Sequence, residues 1–150
     1  MTSLQLPQLD RPALFDTGVW TWARDRRFPE LATWFNEAVG AGLVLVCDLV
    51  VLELTRMAPN EQRARDVAAR LAAFEAIAMP SSLWWWSRLT QLDLSSGGDH
   101  RRVPPADLLL AATAVEADVA LVHYDRDFER IAAVSDLRHQ WLVPDGTFAQ

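Results

Sequence analysis

Val103 to Phe128 reads VPPADLLLAATAVEADVALVHYDRDF and packs a helix start, an apolar helix, a short strand and an acidic turn into one stretch. Pro104 and Pro105 suit the first turn of a helix, where a missing N–H costs nothing and φ is already set. The run Leu108, Leu109, Leu110, Ala111, Ala112, Ala114, Val115 is apolar on nearly every face, which predicts a buried helix. Asp107 then sits in the first turn of that helix, where it either complements the dipole or serves a site.

Ala120 to His123 is short and apolar and ends in Tyr124-Asp125, so it reads as a strand buried on both faces. Asp125 follows at its carboxyl end, and Asp127 comes before Phe128, Ile131 and Ala132 mark the next helix, running from Phe128 to Val134. A helix N-cap needs one acid, and here there are two, with Asp107 arriving on the preceding helix. In α/β sheets the crevice beyond the carboxyl ends of the strands is where ligands bind.

The rest of the chain reads as scaffold bringing two more acids to the same place. Ala13-Leu14-Phe15 is a strand ending in Asp16-Thr17-Gly18, and Val19, Trp20, Trp22 and Ala23 start a helix. Phe28 to Val39 has helical spacing, and Gly40 and Gly42 stop it. Leu43 to Cys47 reads as a second buried strand. Asp48 can cap a helix carrying Leu49, Val50, Val51, Leu52 and Leu54, with Glu53 among them and Pro59 ending it. A buried Glu needs a partner, and Arg56, three residues on, is one candidate.

Glu61 to Phe74 is a long amphipathic helix, Glu75 to Met79 a weak strand, and Ser81 or Ser82 caps a helix holding Leu83, Trp84, Trp85, Trp86, Leu89 and Leu92. Three tryptophans in a row cannot all face one core, so at least one is expected at the surface or an interface. Leu94 to Val103 reads as a flexible loop and Gln140 to Val143 as a final strand. Met1 to Pro12 is expected to be an irregular lead-in. The alternation of strands and helices implies a parallel sheet with helices on both faces.

The chain has 150 residues, enough for one domain with a sizeable core, expected to span 1–150. No apolar run is long enough to span a bilayer, and Met1 to Asp10 lacks a basic region followed by an apolar core, so a cytoplasmic protein without membrane contact is expected. Cys47, the single cysteine, is expected to be a buried strand residue. The net charge of −6 argues against broad nucleic-acid binding through a basic surface, but leaves room for a nucleic-acid enzyme with clustered acids. All 14 bases are Arg, which removes the P-loop motif and Schiff-base chemistry.

Asp16, Glu53, Asp107, Asp125 and Asp127 can therefore converge. Several carboxylates in one crevice raise each other's pKa, and a hard divalent cation removes that penalty. Mg²⁺ or Mn²⁺ suits such oxygen ligands and can activate water and stabilise phosphate charge. Thr17 can add a hydroxyl hydrogen bond. Zinc is disfavoured because Cys47, His100, His123 and His139 show no ligand spacing, and each His is expected at the surface or in a structural role.

Four segments together resemble the PIN-domain ribonucleases, and within them the VapC-type toxins of bacterial toxin–antitoxin pairs. LFDTGVW is similar to the family's first acidic motif, with Asp16 and its neighbour Thr17. LVVLELTR is similar to the second with Glu53, PPADLLLAATA to the third with Asp107, and LVHYDRDFERIA to the fourth with Asp125 and, beside it, Asp127. Gly18 stands where many members carry Ser. The resemblance covers Ala13 to Pro144 and implies a three-layer α/β/α fold with a central parallel sheet of four to five strands.

The resemblance also implies a metal-dependent endoribonuclease in which Asp16, Glu53, Asp107 and Asp125 hold one or two Mg²⁺ or Mn²⁺ ions. It implies a homodimer and a small VapB-type antitoxin that plugs the site, often with a basic side chain, as an arginine pairing with the carboxylates would. Arg101 and Arg102, with Arg24, Arg26 and Arg27, are candidate contacts to the RNA backbone or simply solvated. The alternative is a binding module of the same fold that holds a metal or a partner's arginine without turnover. A small phosphatase or phospho-acceptor domain is a third reading, against which the absence of lysine counts.

Overall fold

The structure is a computed structural model that describes residues 3–148. The strands β1 (Ala13–Phe15), β2 (Val44–Cys47), β3 (Ala76–Ile77), β4 (Leu121–His123) and β5 (His139–Trp141) form one sheet in the order β3-β2-β1-β4-β5. Every pairing is parallel, with Leu14 opposite both Leu45 and Leu121. The three central strands are buried along their whole length, which is why they read as unbroken apolar runs rather than alternating ones.

The helices are α1 (Thr17–Trp22), α2 (Pro29–Gly40), α3 (Asp48–Arg56), α4 (Glu61–Leu71), α5 (Ser82–Ser95), α6 (Pro105–Glu116) and α7 (Arg126–Ala133). From β1 the chain steps outward to β2 and β3; it then returns across the sheet to β4 and steps the opposite way to β5. Right-handed crossovers put α1 to α4 on one face and α5 to α7 on the other. The direction of winding reverses between β1 and β4. That gap is the topological switch point of the sheet, and it opens at the carboxyl ends of both strands.

The core is a single cluster running from Leu14 and Phe15 through Val46, Val50, Leu110, Leu121, Phe128 and Ile131 to Leu142. Helix α6 is its thickest part: Leu108, Leu110, Ala111, Ala112, Thr113 and Ala114 are all buried. The one polar member of that run, Thr113, donates its hydroxyl to the Leu109 carbonyl at 2.7 Å, so no polar atom is stranded there. Cys47 is buried in β2, as its surroundings in the sequence suggest, and burial pushes its thiol up.

Some elements differ from expectation. Strand β3 shrinks to two residues, and β5 starts one residue early, at His139. Leu94 to Val103 is not a simple loop. Helix α5 runs on to Ser95, Gly98 takes a left-handed φ of 80°, and Asp99–Arg101 forms one turn of 3₁₀ helix. Residues 3–12 of the lead-in hold neither helix nor strand; Met1 and Thr2 lie outside the described residues. Trp84 and Trp85 are exposed and Trp86 is half-buried, as three consecutive tryptophans on a helix require. No helix among the described residues is long and apolar enough to cross a membrane.

The packing makes a sharp prediction about α6. Leu110→Ala, at a fully buried site, should cost about 3 kcal/mol of unfolding free energy, whereas Leu92→Ala on exposed α5 should change it by less than about 0.5 kcal/mol. Urea denaturation of both variants reads the difference.

Candidate acidic active site

Each acid owes its place to the element before it. Strand β1 ends at Phe15, so Asp16 emerges at the switch point, in extended backbone just ahead of α1. Strand β4 ends at His123, so Asp125 emerges from the neighbouring strand and caps α7. Its carboxylate accepts the Asp127 N–H at 2.8 Å. Asp107 lies in the first turn of α6, whose buried body fixes it over the same gap. Glu53 comes from the second turn of α3.

Among the described residues, Asp107, Asp125 and Asp127 each offer one carboxylate oxygen to a group in which these oxygens lie within 4.8 Å of one another. Asp16 and Glu53 stand outside this tight trio. They form a second pair, bridged through Thr17, whose hydroxyl donates to Glu53 Oε1 at 3.2 Å. Arg56 is exposed and is not the partner of Glu53 among the described residues; Thr17 takes that part, because it faces the sheet end and Arg56 does not. The two groups still feel each other's charge. Asp16 raises the pKa of Asp107, and Asp125 raises that of Asp16.

The electrostatics follow from burial and crowding. Burial and then the charge of Glu53 push the Asp16 carboxyl up to about 7, against the opposing pull of the Thr17 and Gly18 amides. Burial, followed by Asp16, Asp125 and Asp127, pushes Asp107 up to about 8. Asp125 is also raised, chiefly by burial, while its bond from the Asp127 amide works the other way. At neutral pH the crevice therefore holds protons it would release if a cation were present.

Asp127 differs from the others because it has a cationic partner. Arg130, one turn along α7, donates to its Oδ1 at 2.7 Å and also reaches toward Asp99 at 3.9 Å. Sequence reasoning missed both Arg130 and Asp99, although the spacing of Asp127 and Arg130 on one helix is a readable signal. At Gly18, an added Cβ would sit in ordinary contact, 3.5 Å from Asp16 Oδ2, so the site has room for a side chain there.

The histidines behave as expected structurally. His100 is exposed. His123 is fully buried, and its Nε2 lies 2.8 Å from His139 Nδ1; burial and then His139 hold its pKa down at about 3. Of the candidate RNA contacts, Arg101, Arg102 and Arg26 are exposed, and Arg27 is tied to Asp25 at 2.7 Å. Arg24 joins Arg63 and Arg70, which sequence reasoning did not single out, around a groove of about 490 Å³ floored by Leu54, Met57 and Val67.

The donor set consists of carboxylate oxygens with one hydroxyl, close together and partly shielded from water. That chemistry fits a hard divalent cation and not zinc.

The comparisons with known proteins identify the family. The PIN domain family model matches residues 13–134. Ribonuclease VapC21 of Mycobacterium tuberculosis is 35% identical over 107 residues, 71% of this chain and 78% of that protein. Ribonuclease VapC18 of the same organism is 31% identical over 134 residues, 88% of this chain and 96% of that protein. Among solved structures, VapBC-1 from nontypeable Haemophilus influenzae superimposes with a TM-score of 0.67 at 19% identity, over 87% of this chain and 97% of that one. With the model spanning all four acidic segments and the relatives spanning most of the chain, this protein belongs to the PIN-domain family, in its VapC branch.

Proposed function

We propose that the protein is the toxin of a toxin–antitoxin pair, an endoribonuclease that hydrolyses RNA phosphodiester bonds with a divalent cation. The observation that carries this reading is the convergence of Asp16, Asp107, Asp125 and Asp127 at the switch point, where burial and mutual repulsion lift Asp107 to about 8. Its VapC relatives, named as ribonucleases, support it.

Asp16, Glu53, Asp107 and Asp125 would hold one or two Mg²⁺ or Mn²⁺ ions, with Asp127 beside them. The cation supplies positive charge against the scissile phosphate and acidifies water. The remaining steps belong to this chain. Thr17 holds Glu53 in place through its hydroxyl. Arg130 neutralises Asp127, so that Asp127 can orient Asp125 through its amide without adding a full negative charge at the phosphate. The buried walls of α6 and β4 keep bulk water from screening the site.

The arginines Arg24, Arg63, Arg70, Arg101 and Arg102 offer the RNA backbone local positive charge on a protein whose net charge is −6. A VapB-type antitoxin is the partner this reading supplies, and an arginine from it would pair with the uncompensated acids. The reading also carries a cytoplasmic homodimer. The exposed Trp84, Trp85, Leu89 and Leu92 of α5 are apolar surface that a second copy would cover.

Two predictions test the site. With total RNA as substrate, the purified protein should give discrete fragments in Mg²⁺ or Mn²⁺ and none in chelator, and Asp107→Asn should lower the rate by at least about 10²-fold while its circular dichroism is unchanged. An Asp107→Asn protein with full activity would overturn the nuclease reading, and metal binding with no cleavage would favour a silent binding module.

The second concerns stability against pH. Asp16 and Asp107 hold their protons to about 7 and about 8 in the folded state but release them near 4 when unfolded. The folded state therefore binds more protons across that window, and metal-free stability should fall as pH rises from 5 to 8. In thermal melts, Mn²⁺ at pH 8 should restore several degrees. Asp107→Asn should flatten the metal-free slope and shrink the Mn²⁺ effect.

A further inference from the structure

Asp125 has two anchors, and only one lies within its own turn. Its carboxylate accepts the Asp127 amide. Its own backbone N–H donates to Nδ1 of His123 at 3.1 Å, two residues back at the end of β4. A backbone amide can only donate, so Nδ1 of His123 carries no proton. In a neutral ring the proton is then on Nε2, and it points to His139 Nδ1 at 2.8 Å on the neighbouring strand β5. Nδ1 of His139 therefore accepts, and the proton of its ring sits on Nε2. The result is a directional chain from His123 to His139 on one side and from Asp125 to His123 on the other.

The ring cannot drift. His123 is fully buried, with the Phe128 ring 5.1 Å away and the Trp141 ring 4.8 Å away, and its carbonyl accepts the Leu142 N–H at 2.7 Å. An apolar side chain could fill the same space. It would leave the Asp125 amide facing a wall without an acceptor, a position that buried amides rarely hold. Packing explains a bulky residue at 123; it does not explain a ring whose two nitrogens each meet a partner.

We propose that His123 is a positioning residue: its unprotonated Nδ1 fixes the backbone of Asp125, and the His123–His139 bond fixes the ring, so that the Asp125 carboxylate is presented to the acidic site from a rigid support. This rests on the reading of Asp125 as a metal ligand. It extends that reading to β5, a strand that contributes no acid of its own. Residues that orient a metal ligand from behind typically change metal affinity by about 10- to 100-fold when removed.

The experiment has two parts. In the metal-free wild-type protein, long-range ¹H–¹⁵N correlation spectra report the tautomer of each histidine. The expected result is Nε2–H for both His123 and His139; an Nδ1–H tautomer at His123 overturns the proposal whatever the variants do. The second part is Mn²⁺ titration calorimetry on wild type, His123→Asn and His123→Gln. An Asn amide oxygen falls where Nδ1 was and still accepts from Asp125, whereas a Gln amide reaches the Nε2 position and does not. Both variants lose the ring, so packing loss is common to them. His123→Asn should bind Mn²⁺ within about threefold of wild type and His123→Gln at least about tenfold more weakly. Equal affinities for the two variants, with wild type binding, overturn the positioning role and leave the metal site intact. A wild-type protein that binds no Mn²⁺ overturns the metal site itself. If neither variant folds, the tautomer decides.

Discussion

Repulsion among carboxylates is the constraint around which this fold is arranged. Left free, Asp16, Asp107, Asp125 and Asp127 would move apart into water. They cannot, because each is attached to something that does not move. Asp16 and Asp125 end adjacent central strands whose side chains are buried throughout. Asp107 is carried by a helix with six consecutive or near-consecutive buried residues. The hydrophobic core therefore stores the electrostatic tension at the carboxyl ends of the central strands, and the raised pKa values of Asp16 and Asp107 are its visible form. A rigid cluster of this kind is costly without a cation and ready for one, which is what a preorganised site means in energetic terms.

The same constraint explains the pattern of arginines. A protein with a net charge of −6 that is to act on a polyanion needs its cations placed locally. Arg130 is spent inside the site on Asp127, and Arg27 on Asp25, so neither is available to a ligand as a full charge. Arg24, from the turn after α1, and Arg63 and Arg70, from α4, instead gather with Asp66 around one groove on the α1–α4 face. Because every base is an arginine, each of these charges persists at any working pH and can grip a phosphate with two parallel N–H groups.

Much of this was legible in the sequence because it depended on local pattern. The apolar runs Ala13–Phe15 and Val44–Cys47 are strands, and the acid after each run falls at a strand end. Pro105 opening α6 placed Asp107 in the first turn, and Asp125 does cap α7. What escaped was set by contacts between distant parts of the chain. Glu53 had a neighbouring arginine in sequence, but its partner is Thr17, 36 residues away, because α1 and α3 both start at the carboxyl ends of adjacent parallel strands, β1 and β2. The His123–His139 bond spans 16 residues and depends on the register of β4 with β5, which no single segment encodes. The 3₁₀ turn at Asp99–Arg101 hid behind a run of Ser, Gly and charged residues that reads as plain loop.

Asp125 shows how one side chain holds two offices at once. As a helix cap its carboxylate needs the Asp127 amide, and as a site residue it needs to face Asp107. A carboxylate has two oxygens, so the offices do not compete: one oxygen takes the amide and the other is left for the crevice. The capping bond also favours the ionised form, opposing the burial that disfavours it. Asp107 has no comparable donor and rises to about 8. The two acids thus differ in what a cation does for them: Asp125 is already oriented and partly relieved, whereas Asp107 keeps its proton at neutral pH and gives it up when positive charge enters. That asymmetry makes Asp107 the residue whose ionisation is most tightly coupled to whatever positive charge enters the site.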